Sequence, residues 1–307
     1  MSPWKSFSTV AVAPSPSPAG RPRFSLTSDI VSFRRCSRQY GYFGNDGFVP
    51  AQAVQIYYGT IVHQVLDRCH RHFAGLAGFP KGTMPSHVDI EHYFGEVENA
   101  LKSHGVRPTS PAVRDKALAV LKTFNDVEGP DLYPRVFNTE YRLESDQGQY
   151  VLRGVVDVLA TGPGAGEDPA KMEIWDYKGT QHPPLSSQTM QDYVWQMCVY
   201  AELYKARSGA YPARAILYFL NELHSKPGDP PVTKRPKRAV CTVDFTPKMI
   251  ADGLAAFDVT AKAIMTCKAS RVWPDPGAAP GKETCDICDI RWNCGKVKGV
   301  YPRRYPI

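Results

Sequence analysis

The chain has no apolar run near the roughly 18 consecutive residues that a membrane-spanning helix needs, so no such helix is expected. It also lacks the GxxxxGK[ST] loop that cradles nucleotide phosphates, which argues against an ATP-driven motor within these residues. No internal repeat is visible. "FSTVAVA", after Lys5, is too short and too rich in Ser and Thr for an export signal. An acidic excess is missing as well: 37 Lys and Arg stand against 30 Asp and Glu, a net charge of +7. That balance suits a polyanionic partner and suits a solvated basic surface equally well.

What is present is ample for a packed body, since 307 residues at 43% hydrophobic content can bury a sizeable core. Residues 1–23, with "PSPSPAGRPR", read as a disordered Pro/Ser-rich leader, and 24–307 as a single domain. There are eight cysteines, unevenly spread. Cys69, Cys198, Cys241 and Cys267 sit singly in regular runs, where a free Cys behaves as a small hydrophobe. "CDICDIRWNC" is different: the gap between Cys285 and Cys288 lets two thiolates face one centre while Cys294 returns from the next turn. Three such ligands call for a fourth.

Hydrophobic periodicity predicts a helix over 56–73, two more over about 86–104 and 111–127, and a break at "GVRPTSP" between them. The period then changes to two. "RVFNTEYRLES", "QYVLRGVVDVLAT" and "KMEIWDYKGT" predict three successive strands. A helix over about 186–208, the strand "ARAILYFLNE", the exposed basic loop "KPGDPPVTKRPKR", the strand "AVCTVDFT" and a helix over 247–268 follow. The order predicts an α/β fold with a mixed sheet.

Within these strands, charge stands where a core is expected. Asp176 and Lys178 share one face of a strand while Tyr177 faces away. Asp157 lies in the largely apolar "RGVVDVLA", where an unpaired carboxylate is costly to bury. Adjacent strands can bring both acids to one point, and a divalent cation with oxygen ligands is the natural compensation. His63, on the first long helix, adds an imidazole that favours manganese.

With these residues in order, the chain resembles the PD-(D/E)XK nuclease superfamily, specifically its RecB-like branch with an iron–sulfur cluster, which includes AddB-type nuclease domains and CRISPR-associated single-strand exonucleases. "LTSDIVSFRRCSRQY" resembles the opening that delivers a first cluster cysteine, here Cys36. "GTIVH" resembles the Gly-x-x-x-His motif ending at His63, "GVVD" the motif whose acid is Asp157, and "DYK" the (D/E)-x-K element of Asp176 and Lys178. "QMCVY" resembles the Gln-x-x-x-Tyr motif at Gln196 and Tyr200. Ser37 departs from the pattern, standing where a Pro often follows the cysteine.

The resemblance implies a restriction-endonuclease-like core in αβββαβ order, a helical insertion over about 81–130 and a cysteine-clipped Fe–S lobe over about 281–298. It implies that His63, Asp157, Asp176 and the backbone carbonyl of Tyr177 hold one or two Mg or Mn ions. Glu140 stands behind these as a supporting or additional carboxylate, with Asp67 behind it. Lys178 would position or deprotonate water or stabilise the reacting phosphate, while Gln196 and Tyr200 contact DNA or orient the site. Cys36, Cys285, Cys288 and Cys294 would hold a [4Fe–4S] cluster, with structural zinc as the alternative; either implies a reducing, cytoplasmic setting.

DNA is the implied partner, as single strands or duplex ends, together with a possible helicase or recombination protein and no membrane. Arg34, Arg35 and Arg38, the loop residues Lys234, Arg235, Lys237 and Arg238, and the "KGVYPRR" tail are candidate phosphate contacts. Tyr40, Tyr42 and Phe43 are candidate base-stacking rings. The expected activity is exonucleolytic DNA hydrolysis in repair, recombination or phage-type processing. A structure-specific endonuclease and a non-catalytic nucleic-acid scaffold are the alternatives.

Overall fold

A computed structural model describes residues 20–45, 54–76, 78–166, 168–225, 228–276, 280–286, 288, 291, 294 and 296. The chain enters as strand β1 (Arg23–Ser25), passes a π-turn at Leu26–Val31, and forms the short helices α1 (Ser32–Arg35) and α2 (Ser37–Asn45). Helix α3 (Val54–Phe73) is followed by α4 (His87–Ser103), α5 (Pro111–Val127) and the single turn α6 (Gly129–Leu132). Strands β2 (Val136–Asp146), β3 (Val151–Thr161) and β4 (Met172–Lys178) come next. Helix α7 (Gln188–Ser208), strands β5 (Arg214–Phe219) and β6 (Val240–Val243), and helices α8 (Pro247–Ser270) and α9 (Lys282–Asp286) complete the described chain.

Local chemistry sets the helix ends. Ser86 and Asp89 form a reciprocal capping box at the start of α4. Ser110 and Thr246 cap α5 and α8, each just ahead of a proline that lacks the N–H a first turn cannot use. Gly209, at φ 82°, ends α7 in the left-handed region that glycine enters without steric cost.

The sheet is mixed: β2 and β4 flank β3 antiparallel, β5 runs parallel to β4, and β6 returns antiparallel to β5. One face carries α3, α4 and α5, with Ile61, Val65, Phe94, Val97, Val120 and Phe124 buried against Trp175, Tyr177 and Tyr218. The other face carries α7 and α8 over Leu152, Ile174, Leu217 and Phe219. Residues 81–130 thus place α4 and α5 as a brace on α3, with Arg114 and Tyr57 closing over the buried Glu98.

Strand β1 does not follow from periodicity, being only three residues long. Arg23, read above as leader, already pairs with β3, and Arg21 reaches Asp146 at 2.6 Å. Residues 1–19, the first part of that leader, and the "KGVYPRR" tail lie outside the described residues.

Strand β3 is shared in a way that creates an opening. Along one edge it pairs with β2 for nearly its whole length. Along the other, β1 covers Val151–Arg153 and β4 covers Val158–Thr161, so residues 154–157 have no partner strand there.

Candidate active site

The opening coincides with a break in strand alternation. Leu152 and Val156 face the α7 core and Val158 and Ala160 the α3 core. Strict period-two alternation would keep all four on one face, so β3 changes face around Asp157. The register puts Glu140 of β2 opposite it, between the pairs Thr139–Val158 and Tyr141–Val156. Glu140 has φ 48°, a left-handed conformation that a non-glycine residue rarely occupies without a compensating gain. The paired distortion turns both carboxylates toward α3.

His63 meets them there. One ligand atom each from His63, Glu140 and Asp157 lies within 4.8 Å of the others. Nδ1 of His63 stands 3.2 Å from Asp157 Oδ1, and Asp157 Oδ2 accepts the Tyr177 backbone N–H at 2.6 Å. Tyr177 therefore offers Asp157 its amide hydrogen. Its ring packs against α3 as well, 6.1 Å from the His63 ring, and its hydroxyl meets buried His70 Nε2 at 2.9 Å. Asp67 stands one step back, accepting from Thr139 Oγ1 and pairing with Arg71.

Asp176 flanks this trio and is not a fourth member of it. Its Oδ2 pairs with Lys178 Nζ at 2.6 Å, and Lys178 also donates to Gln196 Oε1 at 3.0 Å. Gln196 Nε2 reaches Tyr200 at 3.1 Å, so the two α7 residues one turn apart hold one another beside the lysine. Lys178 Nζ also lies 4.4 Å above the Tyr193 ring.

The electrostatics describe a site with surplus negative charge. Burial disfavours the His63 imidazolium, yet Asp157, with Asp176 and Glu140, outweighs it and raises the pKa to about 9. Burial, reinforced by Asp157 and Asp67, pushes the Glu140 carboxyl up to about 7. Burial likewise raises Asp176 against the pull of Lys178, while His63 and the Tyr177 amide hold Asp157 low in spite of its burial. An imidazole and two carboxylates converging on one point are the nitrogen and oxygen donors that Mg and Mn accept, so the residues fit a divalent cation.

A cleft of about 680 Å³ contains the trio, Asp176, Lys178, Gln196 and Tyr200. Its lining also includes Arg23, Arg142 and Arg153, which the sequence reading missed. Arg153 left a signal: it breaks the apolar run "YVLRGVVD" four residues before Asp157.

Cys36, Cys285, Cys288 and Cys294 do not line this cleft. Cys36 and Cys285 are buried, and burial first, then the neighbouring Cys288 and Cys294 sulfurs, raises both thiols. Gln39 Nε2 donates to Thr284 O at 2.8 Å, Ser37 Oγ to Pro274 O at 2.7 Å, and Arg38 pairs with Asp275 at 2.8 Å. All four cysteines are free thiols.

The basic candidates divide. Arg34 stacks over Trp195 at 4.8 Å and borders a groove with Arg35. Arg235 is committed to the buried Glu128 at 2.9 Å, and Arg238 to the His182 carbonyl and Glu222. Lys234 and Lys237 are exposed. Tyr40 corrects the base-stacking expectation: it is buried against Phe33 and Trp273 and donates to Asp29 at 2.7 Å. Tyr42 and Phe43 are half-buried against each other.

The sequence profile of the PD-(D/E)XK nuclease superfamily matches residues 24–295, and the chain belongs to that superfamily. It is thus a nuclease by family, a hydrolase whose substrate is nucleic acid. Among solved structures, the crystal structure of a "Putative exonuclease" from Eubacterium rectale is similar at TM-score 0.51 and 12% identity, over 93% of this chain and 90% of that one. At that identity the likeness bears on the fold alone. The crystal structure of SSO0001 matches at TM-score 0.33 and 12% identity, over 80% of this chain and 98% of that one, too loosely to argue from. No curated protein matches the sequence.

Proposed function

We propose that the protein is a metal-dependent deoxyribonuclease, an exonuclease acting on single-stranded DNA or duplex ends in repair, recombination or phage-type processing. The observation that carries this reading is the meeting of His63, Glu140 and Asp157 at the open edge of β3, with Lys178 beside them. His63, Glu140 and Asp157 would hold a Mg or Mn ion, with Asp176 available to it or to a second one. When bound, such an ion lowers the pKa of attacking water and neutralises charge on the phosphate. To hold such an ion His63 would have to be unprotonated. Lys178, held 2.6 Å from Asp176 Oδ2, is placed to donate to the reacting phosphate. Gln196 and Tyr200 fix its direction.

In the same reading Cys36, Cys285, Cys288 and Cys294 hold a [4Fe–4S] cluster, with zinc the alternative. The support is that each of Cys36 and Cys285 feels the Cys288 and Cys294 sulfurs, beside the Gln39 to Thr284 contact that ties the two segments.

The test is degradation of end-labelled single-stranded, duplex and circular DNA in Mg and Mn by the wild type, Asp157→Asn and Lys178→Ala. Metal-dependent shortening from an end, reduced at least about a hundredfold in both variants, is the expected result. Equal inertness of all three proteins across metals and substrates would overturn the enzyme reading, and cutting of circles would replace exonuclease with endonuclease.

A further inference from the structure

We propose that the cleft holds a second phosphate site, built on Arg153 with Arg23, which grips the nucleic-acid backbone a few nucleotides from the bond being cut. The inference rests on the nuclease reading above and assigns it a substrate contact: a strand with several phosphates, in preference to a dinucleotide or a lone phosphodiester.

The floor of the cleft is laid by alternate residues. Arg153 and Val155 lie at i and i+2 of β3 and share a face, Asp157 follows where the strand changes face, and all three line the cleft. Glu144 and Arg142 of β2 lie opposite Arg153 and Val155, and Ser25 of β1 pairs with Arg153 from the other edge. The acids gather where the cation would sit, and the guanidinium groups gather four residues along β3. Four residues of strand span about 13 Å, several times the rise of one stacked nucleotide. Arg153 thus meets a phosphate further along the strand, separate from the one under attack.

What marks the place as a binding site is missing chemistry. The Nε atoms of Arg153 and of Arg23 are both buried with no acceptor among the described residues. Arg153 forms no ion pair there, and the nearest carboxylate to Arg23 is Glu144 at 3.9 Å, on a half-exposed side chain with room to turn to solvent. A buried donor without an acceptor is costly. Both side chains line the one cleft, and their guanidinium groups suit the paired oxygens of a phosphate. The exposed Thr27 and Ser28 line the same wall and add hydroxyl donors. Other arginines of the protein are employed internally: Arg135 and Arg214 clamp the buried Glu173, and Arg235 holds Glu128.

The experiment compares Arg153→Gln and Arg153→Lys with wild type in three measurements. The first is the salt dependence of binding to a fluorescent single-stranded oligonucleotide in Ca, which needs no turnover. The second is Mn affinity of the free protein, which reports whether the neighbouring site is intact. The third is hydrolysis of the oligonucleotide against that of bis(p-nitrophenyl) phosphate, which offers only a scissile phosphodiester. For Arg153→Gln the slope of log affinity against log salt becomes shallower by about 0.7. Its KM for the oligonucleotide rises roughly tenfold, while Mn affinity and small-diester hydrolysis are unchanged. Arg153→Lys keeps the slope and loses part of the affinity. An unchanged salt slope overturns the second site, and so does an equal loss on both substrates, which would put Arg153 at the reacting phosphate. Failure of wild type to cleave either substrate overturns the nuclease reading, and the binding slope then still decides on Arg153.

Discussion

At the scale of single residues, Glu140 and His63 carry the tension of the site. Glu140 occupies a backbone region that costs a side-chain-bearing residue about 1–2 kcal/mol, and it holds its carboxylate in the most acidic part of the cleft. Glu140→Gly is therefore expected to raise stability by about 1 kcal/mol in urea denaturation while weakening Mn binding measured by titration. The pH dependence follows from the two raised groups. His63 shifts from 6.5 to about 9 and Glu140 from 4.5 to about 7, so the folded protein holds more protons than the unfolded chain across that range. The stability that protonated His63 contributes is complete below 6.5 and is lost as the pH rises through 9; ionisation of Glu140 above 4.5 subtracts in the same direction. Metal-free protein should thus become less stable from pH 5 to 9 in thermal melts, whereas Mn affinity should rise over the same range because binding displaces those protons.

At the scale of elements, α3 does two jobs with residues two turns apart. His63 faces the cation site, and His70, which burial holds neutral at a pKa of about 3, anchors the Tyr177 hydroxyl. Tyr177 in turn gives its amide to Asp157, so the helix registers β4 against β3. Tyr177→Phe leaves His70 buried without its partner and is expected to cost about 1–3 kcal/mol by chemical denaturation. Most of this framework was legible in the sequence because it is periodic: α3, α4, α5, α7 and α8 and strands β2 to β6 each repeat an apolar position often enough to reveal themselves. Asp157, Asp176, Lys178 and His63 were legible because charge stood in apolar runs. Strand β1 was not, since three residues show no period, and its arginine resembled the basic edge of a leader. The switch of face at Asp157, and the promotion of Glu140 over Asp176 in the trio, depend on a local twist of two strands that no one-dimensional pattern records. Tyr40 was misread for a related reason: an aromatic beside arginines looks like a stacking platform until its burial is known.

At the scale of the whole molecule, Gln39 reaches Thr284, 245 positions away, and brings Cys36 near Cys285, Cys288 and Cys294. Closing so long a loop removes many open conformations from the unfolded chain, and the thiolates repel one another unless a cation lies between them. Anaerobically purified protein should contain iron by elemental analysis, and Cys288→Ala should lose that metal together with several degrees of melting temperature; unchanged metal content would refute the assignment. Ser25, Thr27 and Ser28 border the cleft, and Cys36 follows them in the same short run after the three residues of β1. Under the proposed cluster, one wall of the cleft would hang from the tether that the thiols fasten. Oxidation that strips such a cluster would then free the short first strand before the helices, so that slack grip on a polymer would be the earliest sign of damage.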